Sequence, residues 1–215
     1  MGQLYLVRHG QANSSATSEA DYDRLSDLGH RQAKLLGEWM RAHEDPFDLT
    51  FSGTMRRHRE TAQGMGYPPN KQDERLNELA YFALVRDMQA KHGIEPPVNS
   101  EDFANHMPKT LVAWEQATID GDESFATFET RILTALAEAA KPGKRVLCVT
   151  SGGVIAMVMR ATLGLSAEHM ARVMLPVYNS SLHKFHIRPE GRALMSFNAI
   201  PHLDPPELAD LRTHY

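Results

Sequence analysis

The chain contains two short, unbroken apolar runs that each end abruptly in polar residues and glycine. Residues 4–7 (Leu-Tyr-Leu-Val) are all hydrophobic and lead into Arg-His-Gly at 8–10. Residues 145–150 contain a second such run, Val-Leu-Cys-Val at 146–149, and lead into Ser-Gly-Gly at 151–153. Runs of this length without alternation are typical of strands that are buried on both faces of a parallel sheet. The pattern therefore predicts two buried strands, each followed by a glycine-containing turn.

Hydrophobic residues at helical spacing follow the first strand. Between positions 28 and 40 they predict a long helix, with Ser26 or Asp27 as its cap. Residues 47–52 predict a second strand. The basic segment 55–65 then predicts another helix, which Gly66 and the following proline stop. The first third of the chain thus has the order βαβα.

The residue composition changes in the middle of the chain. Residues 86–122 contain polar helical stretches, acidic residues and a Pro-Pro break, which predict a helical cap inserted at about residues 84–123 of a single domain spanning 1–215. An amphipathic helix over about 125–136 follows. Strands at 181–187 and 193–198, separated by a turn at 189–191, close the pattern. The predicted fold is α/β, a three-layer sandwich with a mostly parallel central sheet and a helical cap insertion.

Composition and charge narrow the classes of protein that this chain can be. With 23 basic and 27 acidic residues the net charge is -4, so nothing global favours a nucleic-acid or membrane partner. The single cysteine, Cys148, cannot form an intramolecular disulfide and lies inside an apolar run, so we expect a buried thiol. Residues 1–4 show no basic n-region followed by an apolar h-region and a cleavage site, so we expect no targeting segment. No apolar run approaches the roughly 18 residues of a membrane span. We expect a soluble, cytoplasmic protein.

The residues at the two strand ends suggest anion chemistry. Glycine lets the backbone approach a ligand closely, and a helix N-terminus favours negative charge. A basic cluster at 56–59 would add to this site, although such a cluster is by itself typical of a solvated helix face. A neutral His9 could attack phosphorus in line while guanidinium groups neutralise the equatorial oxygens. Glu78 is the candidate acid that protonates the leaving oxygen and later deprotonates water.

Several segments, in order and over nearly the whole chain, resemble motifs of the histidine phosphatase superfamily, also called the phosphoglycerate mutase-like family. Residues 6–11 (Leu-Val-Arg-His-Gly-Gln) match the nucleophile motif, and 52–62 (Ser-Gly-Thr-Met-Arg-Arg-His-Arg-Glu-Thr-Ala) are similar to Ser-x-x-Leu-x-Arg-Ala-x-Gln-Thr-Ala. Residues 75–78 resemble the acid motif. Further similar segments are the helix start at 25–33, the segment 121–131 with its arginine, and the tail segments 179–181 and 198–203.

The resemblance implies a metal-independent phosphomonoester hydrolase that acts through a phosphohistidine intermediate, with no cofactor and no metal. Its partner would be a small phosphorylated substrate or inorganic phosphate. Mutase activity is less expected, because residues 79–83 lack the glycines that follow the acid in the mutases. The implied catalytic residues are His9 and Glu78, and the implied phosphate-binding residues are Arg8, Arg57, Ser151 and Gly152. Arg56 and Arg59 would lie on the helix surface.

One position departs from the family pattern. Residues 149–155 read Val-Thr-Ser-Gly-Gly-Val-Ile where the family has Val-Ser-His-Gly-Gly-Val-Ile, so Ser151 replaces the second active-site histidine. A charge-assisted hydrogen bond is roughly twice as strong as the neutral one that a serine offers. Losing one positioned donor costs about 2.7–4 kcal/mol of transition-state stabilisation. We therefore expect attenuated turnover, with phosphate binding retained through the arginines and the helix N-terminus.

Two other interpretations remain open from the sequence. The first is a catalytically weak or inactive phospho-ligand-binding protein on the same fold. The second is nucleic-acid binding through residues 56–59, which only that local cluster supports. Whether another histidine compensates stays open, since the sequence cannot place His58, His183 or His202 relative to His9. For His202 we expect a partly buried ring bonded to backbone. Sugar phosphates, small acids and phosphoproteins all remain candidate substrates.

Overall fold

Most strands and helices of the structure lie close to the positions that the hydrophobic periodicity of the sequence predicts. The computed structural model describes residues 2–13 and 19–214. In chain order the elements are β1 (Gly2–Arg8), α1 (Glu19–Tyr22), α2 (Asp27–His43), β2 (Leu49–Ser52), α3 (Arg56–Gly64), β3 (Lys71–Gln72), α4 (Tyr81–His92), α5 (Ser100–Glu115), α6 (Phe125–Ala139), β4 (Arg145–Thr150), α7 (Gly152–Leu163), α8 (Ala167–Met174), β5 (Leu182–Arg188) and β6 (Gly191–Ala199), with short 3-10 helices at Glu74–Leu76, Pro201–Leu203 and Pro206–Leu211.

One six-stranded sheet organises the chain, in the order β3-β2-β4-β1-β5-β6. The pairs β3/β2, β2/β4 and β4/β1 are parallel. The pairs β1/β5 and β5/β6 are antiparallel, and the turn between β5 and β6 lies where the sequence predicts it. The prediction of an α/β fold with a mostly parallel sheet is confirmed.

Alternation along the strands produces the layers. Successive side chains of a strand point to opposite faces, so Tyr5 and Val7 pack with residues of α2 and α3 on one face of the sheet. Leu4 and Leu6 pack on the other face with buried residues of α4 to α8. Each face of β1 is therefore covered by helices, which explains its unbroken apolar sequence. The three-layer arrangement is as predicted.

Three of these strands and α-helices are not predicted from the sequence, namely the four-residue helix α1, strand β3 and helix α8, and one segment is predicted only approximately. Strand β3 is only two residues long and exposed, too short to give a pattern. Helix α8 has a buried face of Ala167, Met170 and Ala171, which was not assigned. The segment predicted as an inserted cap holds most of α4 and all of α5, and its apolar residues join the core on one face of the sheet. Its role as a cap stays a prediction.

None of the helices within residues 2–13 and 19–214 is long and apolar enough to span a membrane.

The hydrogen-bond ladder continues past the ends of the parallel strands. The His9 N–H donates to the Thr150 carbonyl at 2.9 Å, and the Gly53 N–H donates to the Val149 carbonyl at 3.1 Å. The end of β4 thus accepts hydrogen bonds from the turn that follows β1 on one side and from the turn that follows β2 on the other. Side chains that follow these three strands are brought to one edge of the sheet, where ligands bind in folds of this class.

The single cysteine provides a test of this fold. Cys148 is fully buried in β4, between β1 and β2, and burial raises the pKa of its thiol. We expect a thiol-specific maleimide to leave the native protein unlabelled over hours and to label it stoichiometrically in denaturant, because the thiolate is the reactive form. The measurement is mass spectrometry of both samples. Rapid labelling of the native protein would place Cys148 at the surface and contradict the sheet order.

Candidate active site

Most of the predicted site residues meet at the edge formed by β1, β2 and β4. His9 directly follows β1, Arg57 lies in the first turn of α3 after β2, and Ser151 caps α7 directly after β4. Their side chains are buried together with that of Arg8, and the largest exposed fraction among the four is 8%. The strand-end argument from the sequence therefore leads to one shared, buried site.

The ring of His9 is fixed in one protonation state. Its Nδ1 lies 2.7 Å from the Gly10 carbonyl oxygen, and a carbonyl can only accept, so Nδ1 carries the proton. Burial lowers the pKa of His9 well below its ordinary value, and the charges of Arg57 and Arg8 lower it further. The ring is therefore neutral, with the lone pair on Nε2. Among the described residues this Nε2 has no hydrogen-bond partner, so it is free to act as a nucleophile.

Neighbouring elements hold the backbone around His9 from three sides. Its N–H donates to Thr150, and its carbonyl accepts from the Ser180 N–H at 3.2 Å. The next amide, that of Gly10, donates to Thr61 Oγ1 of α3 at 3.0 Å. Strand β4, helix α3 and the tail segment before β5 thus converge on this turn, which leaves the imidazole little freedom to move.

Two guanidinium groups lie beside His9 with part of their donor capacity unused. Arg8 Nη1 donates to the carbonyls of Val177 and His214, the latter at 2.5 Å. Arg57 Nη1 donates to Asp23 Oδ1 at 3.1 Å. The Nε–H groups of both arginines are buried and have no partner in the described part of the chain. Buried donors of this kind, next to a neutral nucleophile, suit an anion such as a phosphoryl group.

Glu78 reaches the same site from the loop after Glu74–Leu76. Its Oε2 accepts from the Gly153 N–H at 3.0 Å, and its Oε1 accepts from the Leu79 N–H at 3.0 Å. A Cβ on Gly153 would lie 2.2 Å from Oε1, so only glycine permits this approach. The carboxyl group therefore sits against the N-terminus of α7, the helix that begins directly after Ser151.

The loop that carries Glu78 is held by the arginine of the segment 121–131. Arg131 Nη1 donates to the carbonyls of Arg75 at 2.7 Å and Asn77 at 2.9 Å. Arg131 Nη2 forms an ion pair with Glu123 Oε1 at 2.6 Å. Arg131 is a cation whose hydrogen bonds go to the protein itself, which makes it a support for Glu78 rather than an anion ligand.

Gly152 is buried in the site, whereas Arg56 and Arg59 lie on the surface of α3. A Cβ on Gly152 would lie 3.6 Å from Arg8 Nε, so this buried glycine packs beside the Arg8 guanidinium. Arg56 and Arg59 are exposed on α3, and Arg56 pairs with Glu60 one turn along at 2.6 Å. Of the basic cluster at 56–59, the structure brings Arg57 into the site and leaves the other two arginines on the surface, as the resemblance implies.

Ser151 has a partner that the sequence analysis did not predict. Its hydroxyl does not cap α7; instead Oγ lies 2.6 Å from Nε2 of His58, a fully buried residue. The ring of His58 is 5.8 Å from that of His9, centroid to centroid. The sequence alone could not place any other histidine near His9, and the structure places His58 there. The available signal was the motif itself, since His58 stands at the alanine position of the pattern that residues 52–62 resemble.

The other two candidate histidines, His183 and His202, each form a hydrogen bond with a serine hydroxyl. His183 Nε2 is 3.0 Å from Ser181 Oγ, and His202 Nε2 is 2.8 Å from Ser180 Oγ. His202 is buried as expected, but its partner is a side chain rather than backbone. Burial lowers the pKa of His183 to about 3 and that of His202 to about 4. Both rings are therefore neutral supports of the segment that binds the carbonyl of His9.

Comparison with known families gives a match over almost the full chain. A sequence profile of the histidine phosphatase superfamily (branch 1) matches residues 4–200. Among curated proteins, the metal-independent phosphoserine phosphatase of Arabidopsis thaliana is 26% identical over 213 residues, covering 94% of this chain and 83% of that protein.

Solved structures share the fold. A phosphoserine phosphatase mutant from Entamoeba histolytica, in complex with phosphoserine, superposes with a TM-score of 0.66 at 19% identity, covering 94% of this chain and 100% of that chain. A phosphoglycerate mutase from Bacillus anthracis superposes with a TM-score of 0.68 at 20% identity, covering 94% of each chain. The same arrangement of strands and helices is thus found in chains described as phosphatases and as mutases.

Adjacent glycines in α7 allow a matched test of the Glu78 contact. Gly153→Ala places a Cβ 2.2 Å from Glu78 Oε1, whereas Gly152→Ala meets its nearest neighbour at 3.6 Å. We expect Gly153→Ala to lower the free energy of unfolding by about 1–3 kcal/mol through overpacking, and Gly152→Ala to change it little. Urea denaturation of the two variants and wild type measures this. Equal stabilities would show that Glu78 does not pack against Gly153.

The buried histidines predict a loss of stability in acid. The unfolded chain protonates His202 near pH 6.5 and the folded chain only near pH 4, so below pH 6.5 the unfolded state binds more protons. The free energy of unfolding therefore falls as pH drops from 6.5 to 4, by about 2 kcal/mol for this residue at about pH 5. His202→Gln keeps a donor for Ser180 but cannot be protonated. Urea denaturation at pH 7 and pH 5 should show a smaller acid loss in that variant; an unchanged loss would contradict the assignment.

Proposed function

The chain belongs to the histidine phosphatase superfamily (branch 1), and we propose that it is a metal-independent phosphomonoester hydrolase acting through phospho-His9. The observation that carries this proposal is the state of His9: neutral, held by its Nδ1–H, and with Nε2 free beside two guanidinium groups. A binding site for phosphate alone requires the cations but not a neutral nucleophile with its lone pair exposed to the ligand.

The geometry supports a two-step reaction. In the first step the His9 Nε2 lone pair forms a bond to phosphorus as the ester P–O bond breaks, and the leaving oxygen takes a proton from Glu78. In the second step water attacks the phosphohistidine, Glu78 accepts the proton of that water, and the P–N bond breaks to release phosphate. Arg8 and Arg57 bind the equatorial oxygens in both steps and offset the charge that would otherwise need a metal.

The Gly152 amide at the start of α7 and the hydroxyl of Ser151 complete the proposed phosphate site. Ser151 is fully buried at the N-terminus of α7, where the helix dipole favours an anion. A serine offers a neutral donor where an imidazolium would offer a charged one, so we expect a lower kcat than a histidine at this position would give. The contacts of Ser151 decide how large the loss is.

We propose a small phosphorylated compound as the substrate. The relatives support this class, since they include proteins named for phosphoserine and for glucosyl-3-phosphoglycerate. Hydrolysis is favoured over phosphoryl transfer between substrate positions, because residues 79–83 after Glu78 lack glycine and α4 begins at Tyr81 directly behind this loop.

The nucleophile assignment predicts that His9→Ala abolishes phosphate release. The assay is p-nitrophenyl phosphate hydrolysis between about pH 5 and 7.5 with a chelator present, since the chemistry at His9 needs no metal. Brief mixing of wild type with substrate, followed by quenching and peptide mapping, should find an acid-labile phosphoryl group on His9. His30→Ala, at an exposed histidine, is the control and should keep wild-type turnover.

Turnover that survives His9→Ala would show the mechanism to be wrong. A wild-type protein that binds inorganic phosphate or vanadate tightly without releasing phosphate from any ester would instead support the phospho-ligand-binding alternative. Loss of activity on adding the chelator would contradict the metal-independent chemistry.

A further inference from the structure

The side chain of Ser151 is engaged in an unusual way for a helix cap. A serine at this position ordinarily accepts from a backbone N–H of the first turn, but no such bond is made by Ser151. Its Oγ is instead 2.6 Å from His58 Nε2, at the short end of hydrogen-bond distances. Both side chains are fully buried. The hydroxyl is therefore held by an imidazole from α3 rather than by its own helix.

The proton of His58 can be assigned from the surroundings of the ring. Burial and the charge of Arg57 lower its pKa well below the ordinary value, so the ring is neutral and has one N–H. Its Nδ1 is buried without a partner among the described residues, against Gly53, where a Cβ would lie 2.2 Å away. An orphaned buried N–H is rarer than an unused acceptor. The proton therefore sits on Nε2, which donates to Ser151 Oγ.

This assignment fixes what the serine hydroxyl does. Since its oxygen accepts from His58, its own hydrogen is left to be donated to a further acceptor. Donors linked in this way polarise one another, so an O–H that accepts from an imidazole is a stronger donor than an isolated one. His9 lies beside the pair, with 5.8 Å between the two ring centroids. A phosphoryl group on His9 would be within the reach of such a hydroxyl.

We propose that His58 is a positioning residue that orients and polarises the Ser151 hydroxyl toward the phosphoryl group carried by His9. This inference rests on the proposed function. Ser151 touches the reacting group and His58 acts through it, so the Ser151/His58 pair works as one donor built from two elements, α3 and the turn after β4. Gly53 is part of the same arrangement, because only a residue without Cβ leaves room for the His58 ring.

The pair predicts non-additive kinetics in a double-mutant cycle. Ser151→Ala and His58→Ala should each lower kcat about tenfold to a hundredfold with little change in KM, since a donor that acts in the transition state is lost. The double variant should be no slower than Ser151→Ala, because His58 has nothing left to act on. The same four proteins should show the same non-additivity in vanadate affinity, which does not depend on turnover.

Two amide variants separate positioning from packing. Gln at position 58 can place an N–H near the Nε2 position of the imidazole, whereas Asn places its amide near the Nδ1 position and falls short of Ser151. We expect His58→Gln to keep kcat within a few-fold of wild type and His58→Asn to resemble His58→Ala. Urea denaturation of each variant measures stability separately, so a role confined to packing would appear there and leave kcat unmoved.

The possible outcomes are distinct. Independent, multiplicative losses, or a Gln variant as slow as the Asn variant, would overturn the role of His58 while leaving phospho-His9 in place. Trapped phosphate absent from His9 would overturn the proposed function, whatever the His58 variants do. An acid-stable phosphoryl group on Ser151 would show that the pair is a nucleophile and base, and would overturn both.

Discussion

The active site depends on β4 lying between β1 and β2 in parallel register. Thr150 and Val149 at the end of β4 accept hydrogen bonds from the turns that follow the two neighbouring strands. Those bonds set the separation of His9, the first turn of α3 and the N-terminus of α7 before any side chain is considered. Residues that are far apart in sequence become neighbours because the carboxyl ends of parallel strands meet at one edge. The side chains then need only short-range support to form a site.

That support has a cost in stability that the rest of the fold offsets. Two guanidinium groups and two neutral imidazoles are packed where solvent barely reaches, and the carboxyl group of the half-buried Glu78 lies next to them. Burial of charge is unfavourable unless it is paired, and Asp23 and two carbonyls pair only part of Arg57 and Arg8. The donors left without protein partners are the ones suited to an anion. Sites of this kind depart from local rules for the sake of function, while the apolar layers around them obey those rules.

The sequence predicted what local pattern and strand order control. The buried strands, the choice of Arg57 over its neighbours and the position of Glu78 all follow from short segments. Strand β3 was missed because two residues carry no periodicity. The contact of Ser151 with His58 could not be predicted because the two residues are 93 positions apart and lie in different motifs. Neither motif by itself indicates which residue of the other it will contact. His58 and Ser151 lie in two separate segments of the sequence but form one contact in space.

The neutrality of the Ser151/His58 pair is consistent with the demands of His9. A protonated imidazole at position 151 would add a third positive charge beside a ring whose lone pair must stay free, with Arg8 and Arg57 already lowering its pKa. Arg57 also lowers the pKa of His58, so the pair supplies a donor without supplying charge. Charge compensation of the phosphoryl group then falls to the arginines, and orientation falls to the pair. An enzyme built in this way would depend more on the placement of the Ser151 hydroxyl than on the protonation of a second histidine.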